Sequence, residues 1–185
     1  MPVNPDQVYQ PEADTYLLLE ACRAEVKPGD RVLEIGTGSG AIAAELVQRC
    51  DILATDLNPH AVLCARQQGI EVVQGDLMSG IRGTFDLVLF NPPYLPTKAE
   101  ERLDDWLEYA LDGGPTGREV IERFAHDVRR VLAPGGRILL LISSLTGLFE
   151  VQKLFARSGF VVAVARQQTV EDEELYVLRI VTATG

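Results

Sequence analysis

The segment Glu34–Gly40, with the sequence EIGTGSG, decides the fold of this 185-residue chain. It follows the apolar run Arg31–Ile35, which predicts a buried strand, and it precedes the helical pattern Ala41–Gln48. Its glycines allow a tight turn and let a ligand lie against bare backbone. The first amides of the following helix have no intrahelical acceptor, so the segment predicts a nucleotide-binding turn at the end of a parallel sheet.

Strand patterns alternate with helical patterns along the rest of the chain. The clearest helix is predicted over Gly117–Leu132, and another is predicted to follow Pro11 and to end before Pro28. This alternation predicts a doubly wound α/β fold with a mostly parallel sheet. Because Arg166–Glu174 is too short and polar for a helical crossover, the last two strands are predicted to pair antiparallel. The seven predicted strands are Arg31–Ile35, Ile52–Thr55, Ile70–Val73, Phe85–Phe90, Arg137–Ile142, Phe160–Ala165 and Leu175–Val181.

Composition indicates a single globular domain spanning residues 1–185. The chain is 46% apolar, which excludes disorder, and it lacks the roughly 20-residue apolar run of a membrane span. It shows no secretory signal pattern, and its three cysteines are far apart and form no CxxC motif. We therefore expect free thiols and a cytoplasmic protein. His60 and His126 have no second ligand at metal spacing, so no metal site is predicted.

Polar side chains follow four successive predicted strands, namely Glu34, Asp56, Asp76 and Asn91. Ligands of open α/β sheets bind at this edge, so the four positions predict one site. Two simpler interpretations stay open, a helix cap at Asp56 and an ordinary turn residue at Asp76. The glycine spacing also fits a dinucleotide fingerprint, but the carboxylate of Glu34 suits a cationic ligand such as S-adenosylmethionine better than a pyrophosphate.

The segment Asn91–Tyr94, with the sequence NPPY, predicts an acceptor site for a planar nitrogen. The lone pair of an amide or nucleobase NH2 is delocalised, so each N–H needs an acceptor to orient it. The side-chain oxygen of Asn91 and the carbonyl of Pro92 provide two acceptors, and Tyr94 provides an aromatic face. Catalysis would then consist of positioning and electrostatics without a side-chain base. The alternative is structural, because a proline pair also ends a strand.

These motifs together resemble the class I S-adenosylmethionine-dependent methyltransferases, and more narrowly the short HemK-like glutamine methyltransferases that act on release factors. The resemblance covers almost the whole chain and also rests on Val8–Thr15, Gly113–Val120, Ser143–Leu145 and Glu174–Arg179. It implies a Rossmann-like fold and catalytic roles for Asn91, Pro92, Pro93 and Tyr94. It implies that the donor contacts Thr15, Glu34, Gly36, Thr37, Gly38, Gly40, Asp56, Leu57, Asp76, Leu77 and Asn91.

The resemblance also implies partners. Short relatives commonly work with a small zinc-binding activator subunit, and the edge strand expected to receive it is Ile70–Val73. Residues 1–30 are expected to form a helical segment that caps the cofactor site, in place of the helical recognition domain of bacterial release-factor enzymes. Gln10 departs from the family pattern, which commonly has glutamate there.

The NPPY segment does not separate a glutamine acceptor from an adenine acceptor. Charge favours the glutamine, even if residues 99–112 form only a solvated acidic face. The chain has a net charge of −10, and residues 99–112 hold six acidic residues and one basic residue. A phosphate backbone finds little to bind there, whereas a basic protein loop is attracted. We therefore predict N-methylation of a protein glutamine, in the Gly-Gly-Gln loop of a release factor, with S-adenosylhomocysteine as product. The alternatives are a nucleic-acid adenine N6-methyltransferase and a nucleotide-binding module without catalysis. Trp106 stays open between a core role and a substrate contact.

Overall fold

A computed structural model describes residues 3–98 and 105–183 of the chain. The helices are α1 (Ala13–Glu25), α2 (Ala41–Leu46), α3 (Pro59–Gln67), α4 (Trp106–Tyr109), α5 (Glu119–Asp127) and α6 (Leu148–Arg157), with 3-10 turns at Pro5–Gln7 and Val128–Val131. The strands are β1 (Arg31–Ile35), β2 (Asp51–Asp56), β3 (Val72–Gln74), β4 (Phe85–Phe90), β5 (Leu132–Ser143), β6 (Phe160–Val170) and β7 (Glu173–Thr182).

The seven strands form one sheet in the order β3-β2-β1-β4-β5-β7-β6. The pairs from β3 through β5 are parallel, whereas β7 pairs antiparallel with both β5 and β6. The predicted antiparallel pairing of the last two strands is therefore confirmed. The sequence did not indicate that β7 inserts between β5 and β6. The chain order reverses between β1 and β4, which places a ligand-binding crevice beside the carboxyl ends of these strands.

Helices cover both faces of the sheet, as a doubly wound fold requires. Apolar residues of α1, α2 and α3 pack on one face, in a cluster that includes Leu18, Leu46 and Val62. Residues of α5 and α6 pack on the other face, where the rings of Phe124 and Phe155 lie 6.3 Å apart. The strands between them are apolar on both sides, as buried parallel strands are.

Several predicted boundaries differ from the structure. The helix predicted over Gly117–Leu132 ends at Asp127, and a 3-10 turn leads into Leu132, which pairs with Phe85 as the first residue of β5. Strand pairing therefore overrides the helical spacing of the last apolar residues. The strand predicted to begin at Ile70 begins at Val72, because the amide of Ile70 donates to the carbonyl of Ala65 and closes α3. The helix predicted over Ala41–Gln48 ends at Leu46.

All three cysteines are free thiols, and Cys22 is fully buried. Within residues 3–98 and 105–183, no helix has the length and apolar character that crossing a bilayer requires.

A buried ion network holds the edge of the sheet opposite the crevice. The guanidinium of Arg137, on β5, lies 2.5 Å from Asp30 and 3.2 Å from Glu25, and it donates to the carbonyl of Asp86 at 2.9 Å. Arg179, on β7, also pairs with Glu25, at 2.9 Å. The network joins the end of α1 to three strands, so it fixes how α1 lies across the sheet.

Arg137→Met is expected to lower the free energy of unfolding by about 3–5 kcal/mol, because it leaves the buried carboxylate of Asp30 without its cation. The matched control is Arg179→Met, whose side chain is 39% exposed, and its expected cost is below about 1 kcal/mol. Urea unfolding at neutral pH measures both values. Equal losses in the two variants would contradict this ranking.

Candidate active site

A cavity of about 470 Å³ lies at the carboxyl ends of β1, β2, β3 and β4. With one exception, every residue that the sequence predicts for the donor and acceptor sites lines it: Thr15, Glu34, Gly36, Thr37, Gly38, Asp56, Leu57, Asp76, Leu77, Asn91, Pro92, Pro93 and Tyr94. The exception is Gly40, which lies outside the lining. Gly40 has a φ of +84°, and a Cβ there would meet the Cα of Ala65 at 3.1 Å. This glycine therefore serves the packing of α2 against α3.

The glycine turn is tied to the neighbouring strand β2. The amide of Gly38 donates to the carboxylate of Asp56 at 2.8 Å, and the amide of Thr37 donates to the carbonyl of Thr55 at 3.0 Å. Gly36 and Gly38 have φ values of +65° and +56°, a region that side chains other than glycine rarely adopt. The turn is thus a fixed cradle of bare backbone facing the cavity.

Glu34 is an acid buried under this turn. It is 4% exposed, and the hydroxyl of Thr37 donates to its carboxylate at 2.7 Å. Burial raises the pKa of Glu34 to about 8, and the charge of Asp56 acts in the same direction. Burial also raises the pKa of Asp56, against the backbone amides that donate to it. Two closely placed, desolvated acids make this part of the cavity favourable for a cation.

Asp56 and Asp76 each have local contacts that bear on the two alternatives. Asn58, not Asp56, caps α3, since its side-chain oxygen accepts from the amide of His60 at 2.9 Å. The carboxylate of Asp76 pairs with Arg123 of α5 at the rim of the cavity. The next residue, Leu77, has a φ of +50°, and its carbonyl accepts from the hydroxyl of Thr55 at 3.0 Å. A strained non-glycine residue beside a cavity is typical of a functional turn.

The corner at Asn91 contains a residue that the sequence analysis did not select. The side-chain nitrogen of Asn91 donates to Asp14 at 3.0 Å, and the hydroxyl of Tyr9 donates to the same carboxylate oxygen at 3.1 Å. Asp14 is 4% exposed. The buried Oδ1 of Asn91 has no hydrogen-bond partner among residues 3–98 and 105–183. A signal for Asp14 was present in the sequence, because an acid beside Thr15 interrupts the otherwise apolar face of the first helix.

Tyr94 and the residues after it are held by the glycine-rich segment before α5. The amide of Leu95 donates to the carbonyl of Leu111 at 3.0 Å, and the amide of Gly113 donates to the carbonyl of Leu95 at 2.9 Å. Gly117 lies so close that an added Cβ would overlap the carbonyl oxygen of Tyr94. Burial, and then the charge of Asp14, raises the pKa of the Tyr94 phenol. Its hydroxyl therefore stays protonated at neutral pH.

The mouth of the cavity is aromatic and acidic. Trp106 and Tyr109 line it with ring centroids 5.7 Å apart, and the amide of Trp106 donates to the side chain of Gln7 at 3.1 Å. Trp106 therefore lies at the rim and not in the core. Of the acidic residues predicted here, Asp105, Glu108 and Asp112 are described. Glu100, Glu101 and Asp104, together with the basic Arg102, lie outside the described residues.

Gly117→Ala tests the close packing against the Tyr94 carbonyl. Both Gly117 and Gly135 have positive φ, but a Cβ at Gly135 would meet nothing within 4 Å. Gly135→Ala is therefore the matched control for the backbone cost alone. The Gly117 variant is expected to lose roughly 1–3 kcal/mol more free energy of unfolding than the control, because it also overpacks the site. Urea unfolding measures the difference, and equal losses would show that the carbonyl moves away freely.

Glu34→Gln tests the cost of the buried acid. The pKa of Glu34 is about 8 in the folded protein, against an ordinary value of 4.5. As pH rises through this range, the carboxyl ionises more readily in the unfolded chain, so it lowers the free energy of unfolding of the ligand-free protein. The free energy of unfolding of the variant should therefore exceed that of the wild type by roughly 1–3 kcal/mol at pH 8 and should be almost equal to it at pH 4.5. Unfolding at both pH values measures this gain, with the exposed Glu20→Gln as control. A gain that is independent of pH would contradict the assignment.

Comparisons with known proteins agree with this geometry. Residues 10–106 match the model of the methyltransferase small domain. A protein of Methanocaldococcus jannaschii, provisionally named a protein N5-glutamine methyltransferase, is 39% identical over 180 residues, which cover 93% of this chain and 90% of that protein. The mouse protein named methyltransferase HEMK2 is 34% identical, with coverage of 93% and 88%.

A solved structure is also similar over nearly the whole chain. It is the E. cuniculi Mtq2–Trm112 complex, described as responsible for methylating the translation termination factor eRF1. The similarity has a TM-score of 0.81 at 30% sequence identity and covers 96% of this chain and 99% of the matched one. The predicted Rossmann-like, mostly parallel fold is confirmed by this similarity and by the sheet order.

Proposed function

Because this chain belongs to the methyltransferase small domain family, and within it to the HemK-like enzymes, we propose that it methylates the side-chain amide nitrogen of a protein glutamine with S-adenosylmethionine as donor. The observation that carries the proposal is the buried Oδ1 of Asn91, which faces no donor in the part of the chain that the structure describes. A buried acceptor without a partner is costly, and an incoming N–H would satisfy it.

The donor would occupy the half of the cavity formed by β1, β2 and β3. The glycine cradle, the acids Glu34 and Asp56, and the turn at Asp76–Leu77 fit a ligand that carries a cationic sulfonium and a nucleoside. Asp56 would accept from the ribose hydroxyls, and the other proposed contacts are Thr15, Thr37, Leu57 and the two turn glycines. S-adenosylmethionine supplies an electrophilic methyl group and leaves as S-adenosylhomocysteine. Thr15 belongs to α1, so residues 1–30 would cap this half of a single domain.

The acceptor would occupy the other half, at the NPPY corner. One N–H of the glutamine amide would donate to Oδ1 of Asn91, and the second would donate to the carbonyl of Pro92. The ring of Tyr94 would support the flat amide, and Pro93 would hold the segment extended. Gripping both hydrogens aims the face of the nitrogen towards the donor half and favours loss of its planarity. No side-chain base is required, since the nitrogen loses its proton only after it has gained the methyl group.

We infer that the glutamine belongs to a release factor, in its Gly-Gly-Gln loop. Relatives are named for this activity, as with the release factor glutamine methyltransferase of Deinococcus radiodurans and the eRF1-methylating Mtq2 complex. Asp112 lines the cavity, Asp105 lies beside Trp106 and Tyr109, and the chain has a net charge of −10. These acidic charges favour a basic protein loop over a nucleic-acid backbone.

A small activator subunit is the proposed partner, by analogy with Trm112 in the Mtq2 complex. The strand predicted to receive it, β3, lies at an open edge of the sheet. Val73 on this strand is 37% exposed. That the activator binds zinc stays a prediction. A monodisperse, fully active monomer would count against the partner.

The test is a transfer assay with labelled donor and three acceptors: a purified release factor, RNA and DNA. We expect the label on the release factor, with an intact-mass gain of one methyl group that peptide mapping assigns to the glutamine. Label on adenine instead would establish the nucleic-acid alternative and overturn the proposal.

Asn91→Ala should reduce turnover by about 10²–10³-fold, because it removes a hydrogen-bond acceptor made for the reacting amide. Donor binding, measured by calorimetry, should remain within about tenfold, since Glu34, Asp56 and the glycine turn are unchanged. Asn4→Ala, an exposed asparagine outside the cavity, is the control. Turnover that survived in Asn91→Ala would contradict the proposed acceptor site.

A further inference from the structure

The side chain of Asn91 is useful in only one of its two orientations. A carboxamide accepts hydrogen bonds at Oδ1 and donates them at Nδ2, so a half-turn exchanges one function for the other. A glutamine NH2 needs an acceptor, and a flipped Asn91 would present its own NH2 to the incoming NH2. We propose that Asp14 is a positioning residue that fixes Asn91 with Oδ1 towards the acceptor, an inference that rests on the proposed function.

The two ends of the Asn91 carboxamide differ in their hydrogen-bond partners. Nδ2 of Asn91 donates to Oδ2 of Asp14 at 3.0 Å, whereas Oδ1 is buried without a partner in the described part of the chain. An ionised carboxylate only accepts, so it can hold the Nδ2 end and repels the Oδ1 end. The contact joins residues 77 positions apart, which excludes a local turn as its cause.

The carboxylate of Asp14 is itself held in place by hydrogen bonds to both of its oxygens. Its Oδ1 accepts from the amide of Thr15 at 2.6 Å and from the hydroxyl of Thr15 at 3.2 Å. Its Oδ2 accepts from Tyr9 at 3.1 Å in addition to Asn91. The residue lies in the first turn of α1, where the helix dipole stabilises a negative charge. Both oxygens therefore accept hydrogen bonds, and rotation of the carboxylate would form no additional ones.

Asp14→Asn is a discriminating variant for this reason. An asparagine at this position has one oxygen where the wild type has two, so one of the two donor groups must face an NH2. The amide of Thr15 is part of the helix backbone and cannot move away, so the oxygen should turn to it. The new NH2 would then face Asn91, whose carboxamide should flip and present Nδ2 to the acceptor.

The experiment compares Asp14→Asn with Glu12→Gln, which removes an exposed acid two residues away that accepts from the hydroxyl of Tyr9 at 3.5 Å, whereas Asn91 donates to Asp14. We expect Asp14→Asn to lower kcat on the release factor by about 10²-fold, and Glu12→Gln to change it less than about twofold. The dissociation constant of S-adenosylhomocysteine should stay within about threefold in both, because Glu34, Asp56 and the glycine turn are unchanged.

A second readout follows Asn91 directly and does not depend on activity. In the wild type, a side-chain NH2 proton of Asn91 should resonate downfield in a nitrogen–proton spectrum, because it donates to a carboxylate. In Asp14→Asn this shift should disappear, while the Glu12→Gln spectrum should match the wild type. If Asp14→Asn does not fold, the wild-type signal still decides the matter, since a random-coil position for both protons would overturn the proposal.

The outcomes separate the two claims. An unshifted kcat in Asp14→Asn, or a loss of donor affinity in step with kcat, would refute the positioning role while leaving glutamine methylation intact. A wild-type protein that methylates no glutamine would refute the proposed function, yet the Asn91 signal and its loss in Asp14→Asn would still report the contact.

Discussion

The structure depends on the hydrogen bond between Asn91, at the end of β4, and Asp14, at the start of α1. This contact joins the helix that precedes the sheet to the strand at its centre, and both residues line the cavity. The ion network of Arg137 fixes the far end of α1 on the same sheet, through Glu25. Held at both ends, the helix sets the position of Asp14 to the accuracy that an acceptor site requires.

The cavity has two halves with different chemistry. One half is acidic and desolvated, with Glu34 and Asp56 beneath a turn of bare backbone. The other half has the hydrogen-bond acceptors of the NPPY corner, the carboxylate of Asp14 beside Asn91, and the aromatic rings next to them. In the proposed function, a cationic donor would bind the first half and a neutral planar amide would bind the second. Burial disfavours the ionised form of Glu34 in the ligand-free protein. The same burial therefore favours binding of a cation beside this carboxylate.

The sequence was informative where a single local pattern determines the structure. The bounds of β1 and β4 follow from apolar runs, and the cavity lining follows from polar residues at strand ends. Contacts between distant segments left no such pattern. The Asp14–Asn91 pair, the packing of Gly117 on Tyr94 and the insertion of β7 beside β5 depend on the tertiary fold. The closeness of Gly40, a predicted donor contact, to Ala65 of α3 likewise depends on the tertiary fold.

The most direct test is a crystal structure of the protein with S-adenosylhomocysteine and a peptide containing the Gly-Gly-Gln sequence. The account predicts that the glutamine nitrogen lies within about 3 Å of both Oδ1 of Asn91 and the carbonyl of Pro92, with Nδ2 of Asn91 still on Asp14. A glutamine side chain bound elsewhere, or an Asn91 that turns its nitrogen to the peptide, would contradict it.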